Sequence, residues 1–111
     1  MSLFGGLRPW IWQRLSALYM VIFAVAAAIA LAAGGPMDYT AWRTLIATPF
    51  VSIAVALLFA AVFLHAWIGL RDIVLDYIHP PVLRSLVLVL GLLALLAMSL
   101  RIALALLALY T

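Results

Sequence analysis

His65 is the first residue in this 111-residue chain whose type and position point to chemistry. It stands within a long apolar stretch, about 13 Å from the end of the helix that the stretch predicts. An ionisable group at that depth in a membrane usually marks a functional site. No second metal-ligating residue follows His65 three or four positions later, as an ordinary metal-ion site on a helix would need. A haem iron takes only one imidazole on each face, so an isolated histidine suits a haem. A neutral imidazole that hydrogen-bonds a neighbouring helix is the open alternative.

A cluster of five titratable side chains in nine positions ends the same stretch: Arg71, Asp72, Asp76, Tyr77 and His79. A quinone headgroup needs a hydrogen-bond donor, a proton as it is reduced, and positive potential nearby. Tyr77 could supply the first and Arg71 the last. Asp76 or His79 could supply the proton. The alternative is a solvated helix end, in which Arg71 pairs with Asp72 or Asp76 for about 0.3–0.5 kcal/mol.

The two histidines cannot serve one iron together. His79 is 14 residues beyond His65, or roughly 20 Å along a continuous helix, whereas two axial ligands of an iron lie about 4 Å apart. A second axial ligand would therefore come from another chain. Ala61 and Gly69, one turn on either side of His65, would leave room for a flat macrocycle. Ordinary packing of small residues between helices explains them equally well.

The composition shows which class of protein must position these residues. The chain is 71% hydrophobic and 8% charged, with a mean hydropathy of +1.38, whereas soluble domains carry about 25% charged residues. A soluble enzyme, a nucleic-acid-binding module and a disordered tail are therefore excluded, and the net charge of +3 comes from scattered arginines. The absence of cysteine excludes disulfides, cysteine-bound zinc and a self-contained iron–sulfur cluster. An integral membrane protein remains.

Three apolar stretches predict three transmembrane helices, over residues 11–33, 49–75 and 83–109 of a single anchor domain (residues 1–111). About 20 apolar residues cross roughly 30 Å of hydrocarbon. Helices are expected because backbone in lipid must satisfy its own hydrogen bonds, and no period-two alternation indicates a barrel strand. The predicted fold is therefore an all-α membrane protein.

The arginines predict the orientation of these helices, because cytoplasmic loops carry an excess of positive charge. Four lie at the end that holds the N-terminus and the connection between the second and third helices: Arg8, Arg14, Arg71 and Arg84. Two lie at the other end, namely Arg43 and Arg101. The tally predicts a cytoplasmic N-terminus and a periplasmic C-terminus. The lack of a transit peptide favours a bacterial inner membrane, and a processed mitochondrial chain is the open alternative.

The residues around His65 carry a family resemblance. His65-Ala66-Trp67-Ile68-Gly69, followed by Asp76-Tyr77-Ile78-His79 in a chain of three spans, resembles the smaller cytochrome b anchor subunit of succinate dehydrogenase. The residues from Trp12 to Ala17 at the entry to the first helix are similar as well. The spacing of 12 positions between His65 and Tyr77 is the most specific part of the match.

The resemblance implies a role for each matched residue. It implies that His65 is an axial ligand of haem b and that Tyr77 hydrogen-bonds ubiquinone, with Asp76 beside it. Arg14 matches an arginine near the haem propionates, with which a guanidinium could pair bidentately; snorkelling to the lipid headgroups is the alternative. Arg71, a further candidate for contact with the quinone, and His79 both stand where the family pattern varies. Neither His79 nor Arg101 receives a role.

The resemblance also implies the complex in which the chain works. The three helices would form half of a heteromeric haem-binding bundle, and a larger cytochrome b subunit would supply the second haem histidine. A flavoprotein with FAD and an iron–sulfur subunit would oxidise succinate, as in the tricarboxylic acid cycle, and pass electrons to ubiquinone here. Two alternatives stay open. One is a fumarate reductase anchor that uses quinol, and the other is a non-haem accessory subunit of a transporter or secretion complex.

Overall fold

The computed structural model describes residues 7–110, which form four α-helices. These are α1 (Leu7–Gly34), α2 (Tyr39–Ala47), α3 (Pro49–Tyr77) and α4 (Pro81–Ala108). Helices α1, α3 and α4 are long and apolar enough to cross a membrane, and no strand occurs among the described residues. The structure therefore confirms an all-α membrane protein with three spans.

Proline marks the start of two of the spanning helices. Pro49 is the first residue of α3 and Pro81 the first residue of α4, where the missing N–H has no intrahelical partner to lose. Helix α1 begins at Leu7, ahead of the predicted position 11. It tolerates Pro9 because that residue still lies in the first turn.

The short helix α2 is a feature that the hydropathy pattern does not predict. Asp38 caps it, with its carboxylate accepting a hydrogen bond from the Ala41 backbone N–H at 2.8 Å. Thr48 ends it with an extended backbone (ψ 128°), because a residue that precedes a proline is disfavoured in the helical region. Helix α2 then packs on α3 at the end of the spans opposite Tyr77.

Helix α3 is the centre of the structure, since it packs against α1, α2 and α4. The Tyr19 hydroxyl of α1 donates a hydrogen bond to the Ala54 carbonyl of α3 at 2.6 Å. On the other side, a Cβ on Gly91 would overlap the Leu70 side chain, so a glycine lets α4 approach closely. The sequence order of these contacts makes α3 antiparallel to both of its spanning neighbours.

Most of the apolar surface of the chain faces outward. Among the described side chains, Ile68 and Val74 are the apolar ones that the chain itself buries. Exposed apolar surface on this scale must be covered by lipid or by another protein. The packed helices therefore hold a few polar groups of α1 and α3 in place, while the outward faces of the helices remain exposed.

Candidate functional site

His65 lies on the side of α3 that faces α1. Its Nδ1 is 3.3 Å from the hydroxyl oxygen of Ser16 on α1, across 49 positions of sequence. Ser16 is 5% exposed and therefore buried between the helices. The Ser16 hydroxyl also donates to the backbone carbonyl of Gln13 at 2.9 Å. Two helices thus hold the imidazole from one side.

One tautomer of the imidazole is compatible with both contacts of the Ser16 hydroxyl. A serine hydroxyl has one hydrogen to donate, and the Gln13 carbonyl, which can only accept, takes it. Ser16 Oγ can then only accept from His65, so both bonds form together when the imidazole hydrogen is on Nδ1. In the neutral imidazole the lone pair is consequently on Nε2. This is the arrangement that a metal-ligating histidine needs, with one nitrogen fixed by a hydrogen bond and the other free to coordinate.

The donor set suits a haem better than a metal ion with an all-protein shell. No group of three or more His, Cys, Asp or Glu residues that could hold an ion occurs within residues 7–110. A single imidazole from this chain is enough for one axial position on a haem iron. The residues present would therefore fit half of a haem site, and the other axial ligand would come from another chain.

Gly69, one turn beyond His65, faces Gln13 of α1. A Cβ on Gly69 would meet Gln13 Nε2 at 4.0 Å, an ordinary contact distance. Packing against α1 would therefore tolerate an alanine at position 69. Gln13 Oε1 is buried and lacks a hydrogen-bond partner within the described part of the chain.

Arg14 lies on the exposed part of α1, one turn from Trp10. Its guanidinium carbon is 5.3 Å from the centre of the Trp10 ring, which is within the range of a cation–π contact. Stacking on an interfacial tryptophan suits a snorkelling arginine. The same stacking keeps the Arg14 guanidinium near the membrane surface, where a carboxylate from outside this chain, such as a haem propionate, could reach it.

Two members of the predicted polar cluster, Arg71 and Tyr77, lie on different sides of α3. Arg71 pairs with Asp72 at 3.6 Å, while Asp76 and Tyr77 are exposed at the end of the helix. At about 100° per residue, Tyr77 points roughly 120° away from Arg71. The hydroxyl of Tyr77 and the guanidinium of Arg71 are therefore not directed to a common point on the surface of α3.

Arg71 instead lines a groove of about 490 Å³ between the start of α1 and the last turns of α3. The groove combines two arginines with aromatic and aliphatic side chains, from Arg8, Pro9, Trp12, Leu64, Trp67, Ile68 and Arg71. The two residues to which the family resemblance assigns no role are exposed. His79 follows the end of α3, and Arg101 lies on α4.

Arg84 is a residue to which the sequence pattern assigns no site role. From the first turn of α4, its Nε donates to the Ile78 carbonyl at 3.0 Å, and a terminal nitrogen donates to the Leu75 carbonyl at 3.4 Å. The last four carbonyl groups of a helix have no intrahelical partner. Arg84 thus holds the turn that carries Asp76 and Tyr77.

Replacing Arg84 by glutamine is expected to loosen this turn. Loss of the charged hydrogen bonds should reduce local stability by about 1 kcal/mol, and it should speed amide hydrogen exchange in residues 74–79. Hydrogen-exchange mass spectrometry on the purified complex measures this change. Arg101→Gln on the same helix removes an equal charge and should leave exchange at the end of α3 unaltered. Equal exchange in the Arg84 variant and the wild type would contradict the capping role.

Three spanning helices, with one imidazole held between two of them, define a multi-pass membrane protein. The family of succinate dehydrogenase/fumarate reductase transmembrane subunits matches residues 6–100, and the chain belongs to this family. A succinate dehydrogenase hydrophobic membrane anchor subunit from Coxiella burnetii (strain RSA 493 / Nine Mile phase I) is 32% identical over 79 residues. The match covers 71% of this chain and 69% of that protein.

Family membership confirms the resemblance drawn from the residues around His65 and Tyr77. The chain is a membrane anchor within a multi-subunit enzyme complex. The alternative of an accessory subunit of a transporter or secretion complex is therefore wrong.

Proposed function

We propose that this anchor subunit holds one axial position of a haem b through His65 and forms part of a ubiquinone-reduction site. The hydrogen bond between Ser16 and His65 carries the proposal, because it leaves Nε2 as the coordinating nitrogen. When bound, the haem supplies a one-electron redox centre. The second axial histidine comes from the larger cytochrome b anchor subunit. The other histidine of this chain, His79, lies beyond the end of α3 and is too far from His65 to bind the same iron.

Tyr77 and Asp76 are the proposed quinone-reduction residues of this chain. Tyr77 is 77% exposed at the end of α3. Its hydroxyl is therefore available to a carbonyl group of a quinone that is bound between this subunit and a neighbour. The exposed Asp76 carboxylate precedes it and can relay protons from the aqueous side. Arg71 remains a weaker candidate, because it faces the groove beside α1. Arg14 is the proposed partner of a haem propionate.

The proposed complex passes electrons from succinate to ubiquinone. A flavoprotein with FAD and an iron–sulfur subunit carry out succinate oxidation, and they dock at the end of the bundle that holds Tyr77 and the N-terminus of α1. That end is cytoplasmic in a bacterial inner membrane, with the C-terminus periplasmic, as the arginine tally indicates. The Coxiella burnetii relative is named for succinate dehydrogenase, which favours this direction over quinol-driven fumarate reduction.

A visible spectrum of the intact complex tests the proposal. The chain, tagged and expressed with its partner subunits, should co-purify with them and show the reduced-minus-oxidised bands of a b-type cytochrome. Pyridine haemochrome assay should give about one haem per copy of this chain, as a site shared by two axial histidines requires. Co-purification without any haem would overturn the ligand role of His65 and leave the anchor role in place.

A further inference from the structure

We infer that Ser16 is a positioning residue for His65, and that it sets the reduction potential of the haem through the imidazole. The inference rests on the proposed haem ligation by His65 and adds to it a regulating residue on another helix. Ser16 does not touch the haem in this proposal. It acts through the Nδ1 side of the ring, at 3.3 Å.

The hydroxyl of Ser16 is held in place before it meets the imidazole. Its hydrogen is directed to the Gln13 carbonyl at 2.9 Å, a local bond of the kind that serine makes to the preceding turn of a helix. The oxygen lone pairs are therefore turned towards α3. Because Ser16 is 5% exposed, water competes little for this acceptor position.

The bond controls two properties of the imidazole. It fixes the Nδ1–H tautomer, and it restricts rotation of the ring about the axis through Nε2. An acceptor at Nδ1–H also raises the electron density that Nε2 donates to a metal. A stronger donor stabilises ferric over ferrous iron, so the wild-type serine lowers the haem potential, and its removal should raise that potential.

The experiment is a redox titration of haem b in purified complexes that carry Ser16→Ala, Ser16→Thr or no change. Ser16→Ala should shift the midpoint potential to a more positive value and alter the g values of the low-spin ferric haem in electron paramagnetic resonance. Ser16→Thr should keep the wild-type midpoint potential and g values, because a threonine hydroxyl in a helix can make the same bond to the preceding turn.

Two serine variants elsewhere separate positioning from packing. Ser52→Ala removes a buried hydroxyl of α3 that bonds the Tyr110 hydroxyl, and Ser99→Ala removes one that bonds the Leu95 carbonyl within α4. Both should keep the wild-type potential and g values. An unchanged potential in Ser16→Ala, or an equal shift in Ser52→Ala, would overturn the inference. These results are distinct from a wild-type complex without haem, which would overturn the proposed function itself.

Discussion

Replacing His65 by alanine is expected to remove haem b from the complex. A hydrogen-bonding partner of a metal ligand contributes about 10–100-fold to metal affinity, and the loss of the ligand itself should cost more. The exposed ends of α3 and α4 do not depend on His65, so the partner subunits should still co-purify with the variant. The reduced-minus-oxidised spectrum, normalised to the amount of complex, measures the result.

The other histidine of the chain provides a matched control. His79 follows the end of α3 and is exposed, so His79→Ala deletes the same imidazole without touching the contact between α1 and α3. This variant should keep the wild-type haem content. A His65→Gly variant adds a second test, because imidazole added to the medium could occupy the space of the missing ring and restore haem absorbance.

Two outcomes would contradict the ligand assignment. One is a wild-type haem content in His65→Ala, which would mean that the imidazole only joins α3 to Ser16. The other is a similar loss of haem in His65→Ala and His79→Ala. Either result would leave the family membership of the chain untouched, since the match extends over residues 6–100.

The spans were predictable from the sequence because each depends on local composition alone. An 18-residue window with almost no charge must be a helix in lipid, whatever its neighbours are. The same reasoning located His65, because depth in a membrane follows from position along a helix. Helix α2 escaped prediction, since hydropathy does not report on short interfacial helices. Its capping residue Asp38, followed after a short interval by Pro49, was the available signal.

The partners of the site residues were not predictable, because they come from distant parts of the chain. Ser16 and His65 are 49 positions apart, and no spacing rule relates residues on separate helices. Arg84 could be counted for orientation, but its bonds to the Leu75 and Ile78 carbonyls depend on the angle at which α4 leaves the Pro80-Pro81 turn.

The division of the polar cluster has a different origin. Arg71 and Tyr77 are close in sequence, and closeness in sequence suggested a common site. A helix turns such residues about 120° apart, and the α1 contact then draws Arg71 towards Trp12 in the groove. The different directions of Arg71 and Tyr77 could have been predicted from helical geometry alone. The groove that Arg71 lines could not, because it forms only when α1 packs against α3.

Replacing Tyr77 by phenylalanine is expected to slow ubiquinone reduction by about 10²-fold, the lower end of the contribution of a positioned proton donor. The variant keeps the ring and removes only the hydroxyl, so the end of α3 should fold as before. The proposed complex oxidises succinate on its partner subunits, so this reaction, assayed with a soluble artificial electron acceptor, should keep its wild-type rate. Steady-state assays of both reactions on the same purified complex give the comparison.

Tyr39→Phe is the matched control for this variant. Tyr39 is 75% exposed and Tyr77 is 77% exposed, but Tyr39 begins α2 at the opposite end of the spans. Its hydroxyl should be dispensable for both reactions. Equal losses of quinone reduction and of artificial-acceptor activity in Tyr77→Phe would indicate damage to assembly. Full quinone reductase activity in that variant would instead show that the quinone takes its hydrogen bond from another chain.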